Sequence, residues 1–273
     1  MKVAIAGSTG FVGKYLLKEF PDAIIITREN FKNNDFDLIK NADIVINLVG
    51  APIAKRWTKK YKKELIDSRI ETTKKLVAAI NNSNVKHFIS TSATGIYQKN
   101  KKCDENTSYL ASDFLGNLSK SWENEALKCQ KETTILRFGV ILGKDGGALK
   151  KLLLPFKLFV GGPISNGKFM MSFLSIKDLV KIYHFVIDNK TTGIINAVSP
   201  YPISNKDFTK LLAKTLKRPS YFPVPKFILK LIFSEGAGVL TDSMEVYPKF
   251  LIDKSFQFDY PKVEDMLTDL LKK

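Results

Sequence analysis

Short apolar runs alternate with longer amphipathic stretches through the first two-thirds of the chain. The apolar runs predict buried strands at residues 3–6, 23–27, 42–49, 87–92 and 134–142. Apolar side chains at helical spacing predict helices at residues 11–20, 59–81 and 114–129. Because such strands separated by helices are typical of buried parallel sheets, we expect an α/β protein whose sheet is covered on both faces.

The first strand leads directly into the motif Gly7-x-x-Gly10-x-x-Gly13 at the start of the first helix. Gly7 permits a tight turn, Gly10 has no Cβ to keep a pyrophosphate away, and Gly13 allows the helix to pack closely on the strand. The helix start offers free N–H groups and a positive dipole end to an anion. The motif therefore predicts a dinucleotide site, and a plain glycine turn is the alternative.

After Gly143 the elements become shorter, and glycines and prolines become more frequent. We expect residues 1–160 to form an NAD(P)-binding domain with a Rossmann-type doubly wound parallel sheet, completed by a strand near 193–198. Residues 161–273 are expected to form a smaller C-terminal α/β substrate lobe, with helices at 205–216 and 263–271.

The residues after the second strand bear on the identity of the cofactor. NAD-selective sites usually place an acidic side chain there to accept from ribose hydroxyls. Here the strand ends in Thr27 and Arg28, and a guanidinium suits a 2′-phosphate. Glu29 follows directly, so an alignment slip of one residue would put an acid in that position. The sequence favours NADP and leaves NAD open.

A formal net charge of +16 invites a nucleic-acid interpretation. The basic residues are 38 Lys and only 5 Arg, and they are scattered over most predicted helices. Arg is the residue that reads bases and grips phosphates bidentately, so the charge favours nonspecific attraction to polyanions. We expect no specific nucleic-acid partner.

Two cysteines, Cys103 and Cys129, and two histidines, His87 and His184, lack metal-ligand spacing, so we expect no metal site. No run approaches the roughly 20 apolar residues that a membrane span needs, and no secretory signal is visible. We therefore predict a reducing cytoplasmic location and no membrane partner.

Beyond these patterns, the glycine motif resembles that of the extended short-chain dehydrogenases/reductases. Nearly the whole chain resembles their atypical, epimerase-like branch, within the NAD-dependent epimerase/dehydratase superfamily. The matching blocks include residues 47–52 (NLVGAP), 55–58 (KRWT), 68–73 (SRIETT), 90–97 (STSATGIY), 137–142 (RFGVIL), 146–149 (GGAL) and 256–260 (FQFDY).

The resemblance implies a set of cofactor contacts at the carboxyl ends of the strands, where open α/β sheets bind ligands. It assigns the pyrophosphate to Gly7, Thr9, Gly10, Phe11, Val12 and Gly13. It assigns the adenosine phosphate to Arg28, and the adenine and ribose to Leu48, Val49 and Gly50. The nicotinamide would be flanked by Ser90, Thr91, Ser92, Phe138, Gly139 and Val140.

The chain departs from the superfamily at the catalytic Tyr-x-x-x-Lys pair, in which the lysine lowers the pKa of the tyrosine general base. On the helix where the resemblance places that pair, the two positions fall on Leu115 and Ser119. The spacing occurs once elsewhere, at Tyr97 and Lys101, in a polar loop without helical register. We interpret that occurrence as coincidence.

Ser92 and Tyr97 are nevertheless the catalytic candidates that the sequence offers. Ser92 either polarises a substrate oxygen or serves as a strand-end hydroxyl that binds the backbone or the cofactor amide. Tyr97 either relays a proton or forms an aromatic wall of the pocket. The position of Asp113 favours a role as the N-cap of the next helix over a role as a general base.

Arg69 and Lys168 are the candidates for substrate binding. Arg69 lies in a block that the superfamily uses to shape its active site, and it is either an anion handle or a partner of Glu64 or Glu71. Lys168 is either a phosphate or carboxylate contact or a solvated surface lysine. Ser175 and Phe173 stand where relatives carry His and Trp, which predicts a more apolar pocket.

Two hypotheses of function follow. The first is an NADP(H)-binding epimerase/dehydratase-like protein that transfers hydride to or from a sugar-like or nucleotide-linked substrate. The second is a non-catalytic NADP(H)-binding sensor or scaffold, which the missing Tyr/Lys pair favours. The phenylalanine-rich C-terminal part is either core of the small lobe or a homodimer surface.

Overall fold

Strands and helices alternate along the computed structural model, which describes residues 1–271. The strands are β1 (Val3–Ala6), β2 (Ile24–Ile26), β3 (Ile44–Asn47), β4 (His87–Ala93), β5 (Lys102–Cys103), β6 (Glu132–Phe138), β7 (Val140–Gly143), β8 (Met170–Met171), β9 (Phe173–Ser175), β10 (Gly193–Ala197), β11 (Ile203–Ser204) and β12 (Glu245–Val246). The helices are α1 (Phe11–Glu19), α2 (Arg28–Asn33), α3 (Lys59–Ile66), α4 (Thr72–Asn81), α5 (Phe114–Ala126), α6 (Gly147–Lys157), α7 (Ile176–Asp188), α8 (Asn205–Leu216), α9 (Lys226–Phe233), α10 (Gly238–Thr241), α11 (Lys249–Asp253) and α12 (Val263–Leu271).

Within residues 1–271, a parallel sheet of six strands in the order β10-β6-β4-β3-β1-β2 forms the centre. Neighbouring residues of a strand point to opposite faces, so each strand feeds two cores. Ile5 and Ile46 pack with α1 and α7 on one face, whereas Ala4 and Val45 pack with α4 on the other. The expected α/β fold with a parallel sheet covered on both faces is confirmed.

The second strand differs from the prediction. β2 spans only Ile24–Ile26 and lies at the edge of the sheet, where Ile25 is 46% exposed. The expectation of a fully buried strand at 23–27 is therefore wrong, because an edge strand has a neighbour on one side only.

The apolar run at 134–142 forms two strands that belong to different sheets. At Gly139 the backbone leaves the main sheet: Gly139 N donates to Ala197 O at 3.2 Å, and Val140 N donates to Ser172 O at 2.8 Å. A Cβ on Gly139 would lie 2.5 Å from Ser172 O. The prediction of a single strand at 134–142 is therefore wrong. The backbone changes its hydrogen-bonding partner at Gly139, a position that only glycine fits.

The helix predicted at 59–81 is present but contains an irregularity. A π-helical turn at Asp67–Glu71 separates α3 from α4. Such turns inside α-helices frequently mark functional sites. Arg69 is at the centre of this turn.

The elements after residue 143 partly complete the main sheet and pack with one another in a further core. β10 adds to β6 at the sheet edge, and α8 packs with α12, where Phe173 and Phe208 stack with centroids 4.5 Å apart. Helices 205–216 and 263–271 match their predicted bounds. β5 pairs with β12, so the two regions interleave, and the boundary at residues 160/161 stays a prediction. No helix in residues 1–271 is long and apolar enough to cross a membrane.

Candidate functional site

Gly7 and Gly13 hold the turn between β1 and α1 in a form that excludes any side chain. Gly7 adopts φ +87°, and a Cβ there would lie 2.9 Å from the carbonyl carbon of Leu48. A Cβ on Gly13 would lie 2.4 Å from Gly7 O and 2.7 Å from Ser8 Cα. The start of α1 is thereby pressed against the end of β1.

Gly10 is different because the space in front of it is open. A Cβ there would meet Gly7 O at 3.2 Å and, apart from its chain neighbours and its own helix, no other described atom within 4 Å. Thr9 and Gly10 are exposed, and no side chain caps α1. The uncapped first turn therefore presents the backbone N–H groups of residues 11–13 toward a cradle that an anion fits.

Phe11 connects this loop to the turn after β7. Its ring packs on Gly143, Gly146 and Gly147, where added Cβ atoms would lie 2.5, 2.3 and 2.9 Å from ring carbons. Tyr15 meets the same ring edge-on, with centroids 5.6 Å apart. The glycines of this turn thus form a socket for Phe11, and Val12 beside it is half-buried.

At the end of β2, Arg28 and Glu29 are the two charged candidates for binding the cofactor, and their side chains make different contacts. Arg28 is the first residue of α2 and is exposed, and Thr27 caps the helix. The Glu29 carboxylate accepts from Asn33 Nδ2 at 3.1 Å and lies 3.6 Å from Lys32 Nζ. Glu29 thus makes its contacts within its own helix, whereas Arg28 is exposed at the strand end where a ligand phosphate would lie.

The end of β3 is supported from behind by a buried polar junction. Leu48 N donates to Ala6 O at 2.9 Å, and Val49 N donates to Asn47 Oδ1 at 3.1 Å. Thr73 Oγ1 accepts from Asn47 Nδ2 and from Trp122 Nε1, both at 2.9 Å. This junction fixes the loop whose next residue, Gly50, is exposed.

Arg69 lies directly behind Gly50. Its Nη2 donates to Ala51 O at 2.9 Å and its Nη1 to Leu65 O at 3.4 Å, while its guanidinium lies 5.2 Å from the Trp122 ring centroid. Burial lowers the pKa of Arg69 to about 10. Neither Glu64 nor Glu71 forms an ion pair with it, and within the described chain no other carboxylate does. A half-buried cation without a carboxylate partner suits an anionic ligand group.

The strands next along the sheet end in polar and half-buried residues. Ser90 Oγ is buried and has no hydrogen-bond partner among residues 1–271, and Thr91 Oγ1 lies beside the Tyr183 hydroxyl. Phe138, Gly139 and Val140 are half-buried where the chain leaves β6. These ends lie beside β3 and β1, so the structure brings the predicted nicotinamide residues to one edge of the sheet.

Ser92 and Tyr97, the catalytic candidates, belong to a fully buried polar network. Ser92 Oγ donates to Glu123 Oε1 at 2.6 Å, and Arg137 binds Glu123 through Nε at 2.8 Å and Nη2 at 2.7 Å. Arg137 Nη1 donates to the Tyr97 hydroxyl at 2.7 Å, and that hydroxyl donates to Asn196 Oδ1 at 2.9 Å. Ser92 is 1% exposed and Tyr97 0%.

The hydrogen bonds of this network leave the Ser92 and Tyr97 hydroxyls little capacity for proton transfer. Burial raises the pKa of Tyr97 to about 12, so the phenol keeps its proton near neutral pH. Both proton positions are already used, by Asn196 for Tyr97 and by Glu123 for Ser92. Lys101 is exposed while Tyr97 is buried, which agrees with a coincidental spacing of that pair.

An open cleft lies between α5 and the segment at 230–242. It has a volume of about 550 Å³, and Trp57, Phe114 and Leu115 form its apolar wall. Leu115 is the position that the resemblance assigns to the catalytic tyrosine. Among residues 1–271, the lining includes neither Arg69 nor Lys168, and Lys168 is an exposed residue preceding β8.

A charged triad lies in the same cleft. Lys99 Nζ lies 2.7 Å from Asp113 Oδ2 and 2.6 Å from Asp242 Oδ2. Burial lowers the pKa of Lys99, but its hydrogen bonds to the two carboxylates outweigh that effect and raise it. Asp113 also accepts from Gly116 N at 2.9 Å and so caps α5, as expected.

Sequence reasoning missed Glu123, Asn196 and Lys99. One signal was available: Arg137 is one of only 5 Arg and stands inside an apolar strand, where a buried cation demands a carboxylate. No group of three His, Cys, Asp or Glu side chains suited to a metal occurs in the described part of the chain.

The sheet and the glycine cradle define a dinucleotide-binding α/β protein. The model of the NAD dependent epimerase/dehydratase family matches residues 3–198, and that of a domain of unknown function, DUF1731, matches residues 224–270. The chain belongs to the NAD dependent epimerase/dehydratase family, which confirms the resemblance seen in the sequence.

Named relatives match over nearly the whole chain. The epimerase family protein SDR39U1 homolog, chloroplastic, of Arabidopsis thaliana is 33% identical over 100% of this chain and 87% of its own length. The epimerase family protein SA0724 of Staphylococcus aureus is 32% identical over 98% of both chains. The solved structure of human epimerase family protein SDR39U1 (isoform 2) with NADPH superimposes with a TM-score of 0.91 at 26% identity, over 99% of both chains.

Proposed function

We propose that the chain binds NADP(H) at the edge of the sheet formed by the carboxyl ends of its strands. The observation that carries the proposal is the exposed Arg28 guanidinium at the end of β2, while the Glu29 carboxylate, which is also exposed, hydrogen-bonds to Asn33 within α2. A 2′-phosphate matches that guanidinium, and a free ribose hydroxyl does not require it. The NADPH in the human relative's structure supports the same cofactor.

The residues present fit the cofactor part by part. The open face of Gly10 and the uncapped α1 suit the pyrophosphate. Leu48, Val49 and Gly50 would line the adenine and ribose, and Arg69 stands behind them to stabilise negative charge. The buried, unpartnered Ser90 Oγ suits a carboxamide beside Phe138.

When bound, the nicotinamide would supply or accept a hydride, and the cleft next to Leu115 would admit a small sugar-like molecule. Trp57 and Phe114 would cover its apolar side and exclude water. Lys99 Nζ is kept protonated by Asp113 and Asp242. It would be the proton donor in this cleft, because Leu115 stands where the superfamily has its tyrosine. Ser92 and Tyr97 would act as positioning residues that hold the ends of β4 and β6 together.

A second candidate function is a non-catalytic NADP(H) sensor or scaffold. The apolar Leu115 in place of the tyrosine favours it, because losing a positioned general base typically costs 10²–10⁴ in rate. Stopped-flow measurement of NADPH oxidation across a panel of carbonyl compounds and nucleotide sugars decides between the two. Turnover of any member supports the enzyme, and tight NADPH binding without oxidation supports the sensor.

Fluorescence titration of NADPH and NADH tests the cofactor. We expect Arg28→Ala to weaken NADPH binding by about 10–100-fold, the range for loss of charge-assisted hydrogen bonds, and to leave NADH binding unchanged. Glu29→Ala is the matched control and should preserve the preference for NADPH. Equal affinity of the wild type for both cofactors would sink the proposal.

Expectations about compartment and partners remain proposals. A reducing cytoplasm is supported by the two free thiols, Cys103 and Cys129. The absence of a specific nucleic-acid partner is supported by the composition, since only 5 of the 43 basic residues are Arg, the residue that reads bases. Binding of RNA that persists at about 200 mM salt would contradict it.

A further inference from the structure

Two neighbouring segments of the second half of the chain expose large apolar side chains. One is the end of α6 with the residues after it, represented by Leu154, Leu158 and Phe159. The other is residue 222 with α9, represented by Phe222, Phe227 and Leu231. Exposed fractions of these six range from 54% for Phe159 to 71% for Leu231. We call this surface the apolar shelf.

The two segments adjoin each other in space. Val224 N donates to Pro163 O at 2.8 Å, and Ser165 N donates to Val224 O at 2.9 Å. The Arg218 guanidinium lies 4.6 Å from the centroid of the Phe159 ring, which links residues just before Phe222 to the end of α6. The backbones of the two segments therefore lie side by side, and each segment exposes apolar side chains.

α9 contributes a complete face to the shelf. Phe227, Ile228, Leu231 and Ile232 recur at helical spacing and are all exposed, and α9 contains no buried residue. Single exposed apolar residues are common on protein surfaces, but a contiguous group of this kind marks a contact surface.

The positive charge of the lysines around the apolar shelf indicates what kind of partner this surface contacts. Lys226 and Lys230 lie on α9, and Lys150, Lys151 and Lys157 lie on α6. None of these five forms an ion pair with a carboxylate of residues 1–271. A second copy of the chain related by a twofold axis would place this basic rim against itself, which disfavours self-association.

We propose that the apolar shelf docks reversibly on an anionic bilayer surface. Phe and Leu side chains on such a face enter the interface between headgroups and acyl chains, while lysines at the rim reach the anionic headgroups. The net charge of +16 favours the same surface. This peripheral contact is an alternative to the expectation, drawn from the sequence, of no membrane partner, and it does not depend on the NADP(H) proposal.

Co-sedimentation of the full chain with vesicles tests the proposal. Vesicles of phosphatidylcholine with about 30% phosphatidylglycerol should bind the wild type, and pure phosphatidylcholine should bind it at least tenfold more weakly. The double variant Phe227→Ser/Leu231→Ser should lose at least tenfold in binding to the anionic vesicles. The control Leu127→Ser/Ile252→Ser removes two side chains of similar exposure elsewhere and should bind as the wild type does.

A second pair of measurements separates charge from misfolding. Lys157→Gln/Lys226→Gln should weaken binding to anionic vesicles and reduce its salt dependence. Circular dichroism and a thermal unfolding transition like that of the wild type should show that the Phe227/Leu231 variant stays folded. Failure of the wild type to bind anionic vesicles would overturn the proposal. So would equal binding by the Phe227/Leu231 variant, or light scattering showing a dimer that this variant abolishes. None of these results bears on whether NADPH binds.

Discussion

A methyl group at position 13 would lie 2.4 Å from Gly7 O and 2.7 Å from Ser8 Cα. Gly13→Ala gains about 1 kcal/mol of helix propensity. Relief of the overlap requires α1 to move away from β1, and such overpacking costs about 1–3 kcal/mol. We expect a net loss of stability in urea unfolding and a loss of NADPH affinity in titration.

Gly95→Ala is the control for this substitution, because its Cβ would lie at an ordinary 3.7 Å from Leu115 Cβ. It should leave the urea midpoint and the NADPH affinity close to those of the wild type. Full NADPH affinity in Gly13→Ala would contradict the role assigned to the glycine turn.

The raised pKa of Tyr97 should make the free energy of unfolding depend on pH in the alkaline range, and replacing Tyr97 should remove that contribution. Tyr97→Phe removes the acceptor of Arg137 Nη1 and the donor to Asn196 Oδ1, at a cost of about 1–3 kcal/mol per group. Burial raises the pKa of Tyr97 to about 12, above the 10.0 of an ordinary tyrosine, so the folded chain holds the phenolic proton more tightly than the unfolded chain. That contribution is complete below pH 10 and is lost as the pH rises toward 12.

The free energy of unfolding measured across this alkaline range should therefore fall less steeply for Tyr97→Phe than for the wild type. Tyr109→Phe, at an exposed tyrosine, should keep the slope of the wild type. Identical slopes for Tyr97→Phe and the wild type would mean that the phenol is not held in its neutral form by the fold.

Among the elements, one hydroxyl joins β3, α4 and α5. Thr73→Val preserves shape but leaves the donors of Asn47 and Trp122 buried without an acceptor, which should cost about 2–4 kcal/mol. The neighbouring Thr72 donates to Ser68 O in the preceding π-helical turn at 2.7 Å, so Thr72→Val should cost about 1 kcal/mol or less. Urea denaturation of both variants measures the difference, and equal costs would contradict the junction.

Local patterns identified the elements whose determinants are local. The strand, glycines and helix of residues 3–13 follow from sterics within one short segment, and α8 follows from its own periodicity and the Ser204 cap. The break at Gly139 was not predictable because the apolar residues on both sides continue without interruption, and the change of partner depends on Ala197 and Ser172. The pairing of Arg137 with Glu123 likewise depends on how α5 packs on the sheet.

At the scale of the molecule, the sheet of the first region needs a strand from the second half of the chain. Ala197 O accepts from Gly139 N, and Asn196 completes the partners of Tyr97. A fragment of residues 1–160 should therefore show no cooperative thermal unfolding by circular dichroism, whereas the full chain should. A fragment that unfolds cooperatively and binds NADPH would show that β10 is dispensable.

The position of β10 at the sheet edge also has a consequence for biosynthesis. Ribosomes release the chain from its N-terminus, and domains generally fold as units as they emerge. The glycine turn is therefore translated before residues 193–197, and the sheet behind it stays incomplete until they follow. Asn196 then needs Tyr247 O for its side-chain amide at 3.0 Å, so the polar network closes only after residue 247 has been translated. Until that point, Arg137 and Glu123 of the nascent chain lack the complete polar network that surrounds them in the folded protein. We expect chaperones to bind the nascent chain during this interval.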